Sequence, residues 1–328
     1  MALVNKNLAL LRSGCAPEEQ IYTRENYLKI PQMARLPASE RHVIDVVSRV
    51  FPFKTNNYVV NELIDWERAS ADPIYRLVFP QRGMLNQSQF QRVEKAIKES
   101  VSTEKLNQIA NDIRLGFNPH PAGQLTKNVP FFNGKKVHGI QHKYRQTVLF
   151  FPDDGQSCYS FCTFCFRWPQ FTSLKNYRIS LDDAHKLCNY LQSHHEITDI
   201  VFTGGDPLFM SSQRLASHVD TILKRNPVHV ENFRFGSRAL SFWPYRFLTD
   251  DDADELLNIF SRIIKSGRNV SLMAHFNHPG ELKTTAVREA IARLRSKGVM
   301  IRTQSPLVAG INDRPEIWSE LWRERCAD

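Results

Sequence analysis

From Thr147 onward, short apolar runs alternate with stretches of helical period, and each run ends in a cluster of glycine or polar residues. Val148-Leu149-Phe150-Phe151 leads into Gln156 and the residues after it, and Ile200-Val201-Phe202-Thr203 ends in Gly204-Gly205-Asp206-Pro207. Asn232-Phe233-Arg234-Phe235 ends in Gly236-Ser237-Arg238, Val270-Ser271-Leu272-Met273-Ala274 in His275-Phe276-Asn277-His278-Pro279, and Val299-Met300-Ile301-Arg302 in Thr303-Gln304-Ser305. Runs this short, bounded by turn residues, read as buried strands. The helical stretches at 181–194, 211–225, 249–266, 284–297 and 315–325 separate or follow them. Strand-helix repetition predicts an α/β fold with a parallel sheet curling into a partial (β/α) barrel over 141–328. In such barrels the active site gathers at the carboxyl ends of the strands, where all five clusters fall.

Residues 1–140 read as a helical, loop-rich region, with apolar period at 41–50 and again at 88–113 and no strand alternation. Proline and glycine in Asp72-Pro73, Phe79-Pro80 and Asn118-Pro119-His120-Pro121-Ala122-Gly123 mark ordered turns. No run of 18 or more apolar residues is present, and the basic residues of the first twelve are scattered, so neither a membrane span nor a signal peptide is expected. The excess of 43 Lys and Arg over 34 Asp and Glu gives a net charge of +9 without any basic block. An anion-binding cavity is therefore expected before a nucleic-acid surface.

Three of the six cysteines, Cys158, Cys162 and Cys165, crowd one loop at spacing C-x3-C-x2-C, while Cys15, Cys188 and Cys326 stand apart. A disulfide framework is not distributed that way in a chain of 328 residues, and the expectation is a reducing, cytoplasmic protein. Zinc knuckles usually pair two C-x2-C halves, and no second half is found. Soft thiolates so closely spaced suit iron and sulfide, and with no local fourth ligand a four-iron cluster keeps one iron open.

The spacing, with Phe164 before the third cysteine, resembles the signature of the radical S-adenosylmethionine (SAM) superfamily. The resemblance implies a 4Fe-4S cluster on Cys158, Cys162 and Cys165, SAM on its open iron, cleavage to a 5′-deoxyadenosyl radical, and Phe164 near the adenine. Gly204-Gly205-Asp206 resembles the motif that binds the SAM amino group. His142-Lys143-Tyr144, Thr203 to Leu208, His275-Phe276-Asn277-His278-Pro279, Gln304-Ser305 and Asn312-Asp313 together resemble the lysine 2,3-aminomutase family, from about Asp65 to the C-terminus. This narrower resemblance puts His275 and Gln304 beside the SAM ribose and adenine, and makes Arg167 the grip on a substrate α-carboxylate, for which a planar fork is suited. It implies a 1,2-amino shift on a small amino-acid substrate, pyridoxal phosphate (PLP) holding the substrate amine, and an electron donor. His275 and His278 lie on a loop with no evident acidic partner and are not read as a metal pair, while Phe166, Trp168 and Phe171 are read as core or cavity wall.

The sequence departs from the family in three places. Asp328 follows soon after Asn312-Asp313, with no glycine-rich lysine loop between, so no lysine is assigned to PLP. Trp168-Pro169 follows Arg167 where the aminomutases carry further arginines, and Thr147 stands in place of a basic residue. A barrel cut short at its C-terminal side leaves an open edge, and a homo-oligomer is expected to cover it. Alternatives to the aminomutase reading are a radical SAM enzyme that acts on another substrate without PLP, and a non-catalytic chain that binds cluster and SAM.

Overall fold

The computed structural model describes residues 17–120 and 123–326; Cys15, the first twelve residues, Pro121-Ala122 and Asp328 lie outside them. Within that span the chain runs β1 (Ile21–Thr23), α1 (Ala38–Val47), β2 (Lys54–Asn56), α2 (Pro73–Val78), α3 (Gln87–Lys98), α4 (Thr103–Leu115), β3 (Phe131–Phe132), β4 (Lys135–Lys136), β5 (Ile140–Tyr144) and β6 (Thr147–Phe150). It continues through α5 (Ala184–Gln192), β7 (Asp199–Phe202), α6 (Ser212–Arg225), β8 (Asn232–Ser237), α7 (Ala239–Phe242), α8 (Ala253–Lys265), β9 (Asn269–His275), α9 (Thr285–Ser296), β10 (Met300–Gln304) and α10 (Pro315–Cys326). Short 3-10 and π turns fill several of the connections.

Six strands form one open sheet in the order β10-β9-β8-β7-β6-β5. Strands β6 to β10 are parallel, and the five runs read as strands in the sequence are these five. Their register aligns Phe150, Phe202, Phe235, Leu272 and Ile301 across the sheet, so the five carboxyl ends share one edge. No closed barrel forms among the described residues; the architecture is a mixed α/β sheet with helices. β5 pairs antiparallel to β6 and adds a sixth strand that the sequence reading did not expect. His142-Lys143-Tyr144 lies on it.

The N-terminal region also contains strands. β1 pairs with β2 and β3 with β4, in runs of two or three residues, too short for alternation to register in the sequence. The single apolar period at 88–113 is two helices. Ser100, with φ of 51°, ends α3, and the Ser102 hydroxyl accepts from Lys105 N (3.3 Å) to start α4.

One apolar core links both regions. Phe150, Phe202, Phe233 and Phe235 from the sheet, Leu215, Val219, Leu256 and Phe260 from its helices, and Tyr22, Ile44, Leu77 and Phe79 from the N-terminal region belong to a single buried cluster. A second cluster joins α1, α3 and α4 to Trp168, just beyond the cysteines. The helical region therefore packs directly behind the cysteine loop.

Candidate functional site

The loop after β6 carries no ladder of its own, so its buried backbone groups need partners from elsewhere. The N-terminal region supplies them. Phe161 N and the Ser160 hydroxyl both donate to the Lys54 carbonyl (2.9 and 3.0 Å) on β2. Thr163 N donates to the Leu77 carbonyl (2.8 Å) and its hydroxyl to that of Arg76 (2.9 Å), both on α2. The Tyr159 hydroxyl reaches the Leu208 carbonyl beyond β7 (2.9 Å). Cys165 N closes a turn on the Cys162 carbonyl (3.0 Å).

Cys158, Cys162 and Cys165 are free, half-buried thiols. Burial pushes all three up, Cys162 to about 12, and the neighbouring Asp206 carboxylate adds to the rise at Cys158. Cations oppose it, Lys54 at Cys158, Arg238 at Cys162, and Arg167 with Arg238 at Cys165. The free thiols are therefore held toward the neutral form, with a cation near each that partly offsets the effect of burial. Among the described residues the thiols do not form a group within 4.8 Å of one another.

Gly204-Gly205-Asp206 sits at the end of β7 with its glycines pressed on the start of the cysteine loop. A Cβ at Gly205 would come 2.4 Å from Ser157 O, and one at Gly204, whose φ is +142°, 2.3 Å from Gln156 Nε2. Asp206 N donates to Ser157 O (2.6 Å). The glycines thus permit two backbones to touch. The Asp206 carboxylate, 1% exposed, accepts from the Ser237 hydroxyl (2.9 Å), Arg238 N (2.7 Å) and Leu208 N (3.0 Å). Burial raises its pKa against the pull of those bonds. Its present role is to tie the ends of β7 and β8 together.

At the end of β8 the Arg238 guanidinium is buried. It donates to Asn277 Oδ1 (2.6 Å) and Glu281 Oε2 (2.8 Å) and lies over the Phe242 ring at 4.0 Å. Glu281, fully buried, also accepts from the Ser241 hydroxyl and from Asn277 N (2.8 Å) and His278 N (2.9 Å). This network connects a cation beside Cys162 to the loop after β9. His275 begins that loop, with its ring 5.8 Å from Phe164, and Gln304 on β10 is its register partner. Phe164, His275 and Gln304 therefore come together from three separate stretches. His278 turns away; its Nδ1 accepts from Gly280 N (3.2 Å) and caps the turn Pro279–Leu282.

Arg167 stands over the Phe151 ring at 4.6 Å and the Phe166 ring at 5.1 Å. Its Nη1 is buried and has no hydrogen-bond partner, and burial lowers its pKa to about 10. An orphaned guanidinium nitrogen beside the cysteines is a ready place for an external carboxylate. Trp168 is buried and Phe171 stacks on Phe161 at 4.3 Å, whereas Phe166, read as core or cavity wall, is 56% exposed. Its ring shields the Arg167 cation from outside instead. Lys54, the one buried lysine among the described residues, donates to the Ser157 hydroxyl (3.1 Å) and lies over the Phe209 ring at 4.0 Å. Its ammonium is thus engaged by a hydroxyl and a ring face.

Sequence reasoning assigned no role to Lys54, Arg238, Asn277 or Glu281. Arg238 had a signal, since it directly follows Gly236-Ser237 at a strand end; Lys54 and Glu281 had none, because only the tertiary fold brings them to the cysteines.

No family model matches the chain. Curated relatives do. An Aquifex aeolicus protein provisionally named L-lysine 2,3-aminomutase is 32% identical over 289 residues, 88% of this chain and 65% of its own length. The L-lysine 2,3-aminomutase of Methanococcus maripaludis is 28% identical over 305 residues, 92% of this chain and 58% of its own. That of Clostridium subterminale is 31% identical over 185 residues, 56% of this chain and 41% of its own. The chain spans less than two thirds of the length of these relatives.

Proposed function

The chain belongs to the lysine 2,3-aminomutase-like family of the radical SAM superfamily, and we propose that it is a radical SAM isomerase that performs a 1,2-amino shift on an amino-acid substrate. On this reading the open sheet is a partial (β/α) barrel whose shared strand edge is the active site. Cys158, Cys162 and Cys165 would hold a 4Fe-4S cluster, and residues at the ends of β7, β9 and β10 would hold SAM. Reduced cluster and SAM together supply a hydrogen-abstracting 5′-deoxyadenosyl radical. The protein residues position and protect. Phe164 and His275 offer ring faces to the adenine, Gln304 a polar edge, and the Gly204-Gly205 backbone with Asp206 sets the floor for the amino end. Arg167 grips the substrate carboxylate with the nitrogen that has no partner in the protein.

The observation that carries this reading is the parallel register, which brings the cysteine loop, Gly204 to Asp206, His275 and Gln304 to one edge, with Phe164 against His275. The cation beside each thiol and the orphaned Arg167 nitrogen fit an anionic cluster and a carboxylate ligand. Among the described residues no helix is long and apolar enough to cross a membrane; a cytoplasmic location, an electron donor and self-association are part of the proposal. Leu307, exposed just after edge strand β10, supports self-association.

Anaerobic reconstitution tests the reading. The expected result is four irons and four sulfides per chain, visible charge-transfer absorbance, and deoxyadenosine from SAM on reduction, all lost in Cys162→Ala. Protein that takes up no iron and releases no deoxyadenosine overturns it. A second reading keeps the radical and omits PLP, favoured by the engagement of Lys54. An imine absorbance on adding PLP refutes that second reading.

A further inference from the structure

The amino ends of β6 and β7, opposite the edge that carries the cysteines, hold another group of ligand-type side chains. His142 on β5, His194 after α5 and Glu196 before β7 each bring one ligand atom to within 4.8 Å of the other two, all half-buried. The His142 Nε2 lies 3.1 Å from the Arg145 carbonyl. A carbonyl only accepts, so Nε2 carries the proton and Nδ1 presents its lone pair, which takes a hydrogen bond from the Tyr190 hydroxyl (2.7 Å). Anchoring one ring nitrogen on a backbone carbonyl is how metal-ligating histidines are held.

The second histidine is equally constrained. His194 stacks on Tyr190 at 4.0 Å, meets His142 edge-on at 5.7 Å, and its Nδ1 lies 2.8 Å from Glu196 Oε1. Beside them His195 and His229 stack at 4.8 Å, and His229 Nε2 is buried without a hydrogen-bond partner while feeling the charge of Glu196. Four histidines and one carboxylate thus meet where the chain has no radical chemistry to serve.

We propose that His142, His194 and Glu196 form a site for a divalent transition metal, zinc being the best fit, completed by water. Imidazole and carboxylate ligands suit zinc, cobalt or nickel and differ from the thiolate set of the cysteine loop. With metal–ligand bonds of about 2.0–2.2 Å, tetrahedral ligand atoms lie roughly 3.4 Å apart, so the group needs to contract by no more than about 1.4 Å. The metal takes the place of the proton between His194 Nδ1 and Glu196, which passes to His194 Nε2 as the ring changes tautomer, and of the hydrogen bond from Tyr190, so the imidazole stays neutral. The site clamps edge strand β5 to the connection between α5 and β7, fixing a strand that otherwise has one free edge.

The test is a cobalt(II) titration of the full chain carrying Cys158→Ser, Cys162→Ser and Cys165→Ser, so that no thiolate of the loop competes. One equivalent is expected to bind with visible d–d bands and no thiolate-to-cobalt charge transfer, and zinc displaces it. Glu196→Gln, at a partly exposed position that does not endanger folding, weakens binding about 100-fold or more, as does His194→Ala, whereas His185→Ala at an exposed histidine leaves it unchanged. Zinc raises the unfolding midpoint of the parent but not of Glu196→Gln. Absence of any bound equivalent, or equal affinity in Glu196→Gln, overturns the proposal. Because the loop cysteines are removed, neither outcome depends on the radical SAM reading.

Discussion

Replacing Arg238 by Gln removes the cation paired with Glu281 in the buried network beside Cys162. Two charge-assisted hydrogen bonds vanish, to Glu281 at 2.8 Å and to Asn277 at 2.6 Å, each of a class that contributes about 1.5–3 kcal/mol. Glu281, with 0% exposure, keeps its bonds from Asn277 N, His278 N and Ser241 but loses its counter-charge. Breaking a buried ion pair costs about 3–5 kcal/mol, and the surviving donors place this one near 3 kcal/mol. At roughly 2–4 °C per kcal/mol for a large chain, the unfolding midpoint of the cluster-free protein falls by about 6–12 °C. Glu281→Gln, which keeps the acceptor but removes the charge, is the partner variant. The double variant is expected to cost less than the sum of the singles by about 1.5 kcal/mol or more in urea unfolding followed by circular dichroism. Additivity within about 0.5 kcal/mol, or a midpoint change under about 2 °C, would refute the claim that these groups act as a unit.

Three further outcomes follow from the same geometry. Gly205→Ala drives a Cβ into the Ser157 backbone and displaces the loop before Cys158, so iron bound after reconstitution drops sharply, while Gly83→Ala, with nothing within 4 Å, leaves it unchanged. Arg167→Met removes an unpaired buried cation, so the unfolding midpoint of the free protein stays level or rises, while affinity for a substrate carboxylate falls about 100-fold by calorimetry. Burial lowers the pKa of His218, which packs against Phe150 at 5.4 Å, so the native state holds it neutral. Its contribution is complete above the unfolded value of about 6.5 and is lost as pH falls through the lowered folded value; His218→Gln therefore shows a smaller loss of urea midpoint between pH 7.5 and 5.5 than the parent.

Much of the sheet was legible in the sequence because parallel strands covered on both faces are nearly continuous apolar runs, as β6 and β7 are. The turns after them announced themselves through glycine and proline. Helix limits were legible where caps exist, as at Ser211 before α6 and Thr284 before α9. The interruption between α3 and α4 was not, because apolar period continues across a break that Ser100 and Ser102 impose locally. β1 to β4 escaped because two or three residues carry no period.

The sequence by itself determined the three closely spaced cysteines, the aromatic before the last of them, the Gly-Gly-Asp turn and the strands that deliver these groups, since spacing and period are local properties of a chain. Tertiary structure alone decided what surrounds them. Lys54 reaches Ser157 across 103 positions of the chain and Arg238 reaches Glu281 across 43, and no local pattern encodes an encounter between residues that far apart. It also gave the Asp206 carboxylate its partners at the end of β8, the Ser237 hydroxyl and Arg238 N, because a buried carboxylate takes the nearest donors that the fold presents. The same physics left one buried guanidinium nitrogen of Arg167, near Cys158 and Cys165, without a partner in the protein.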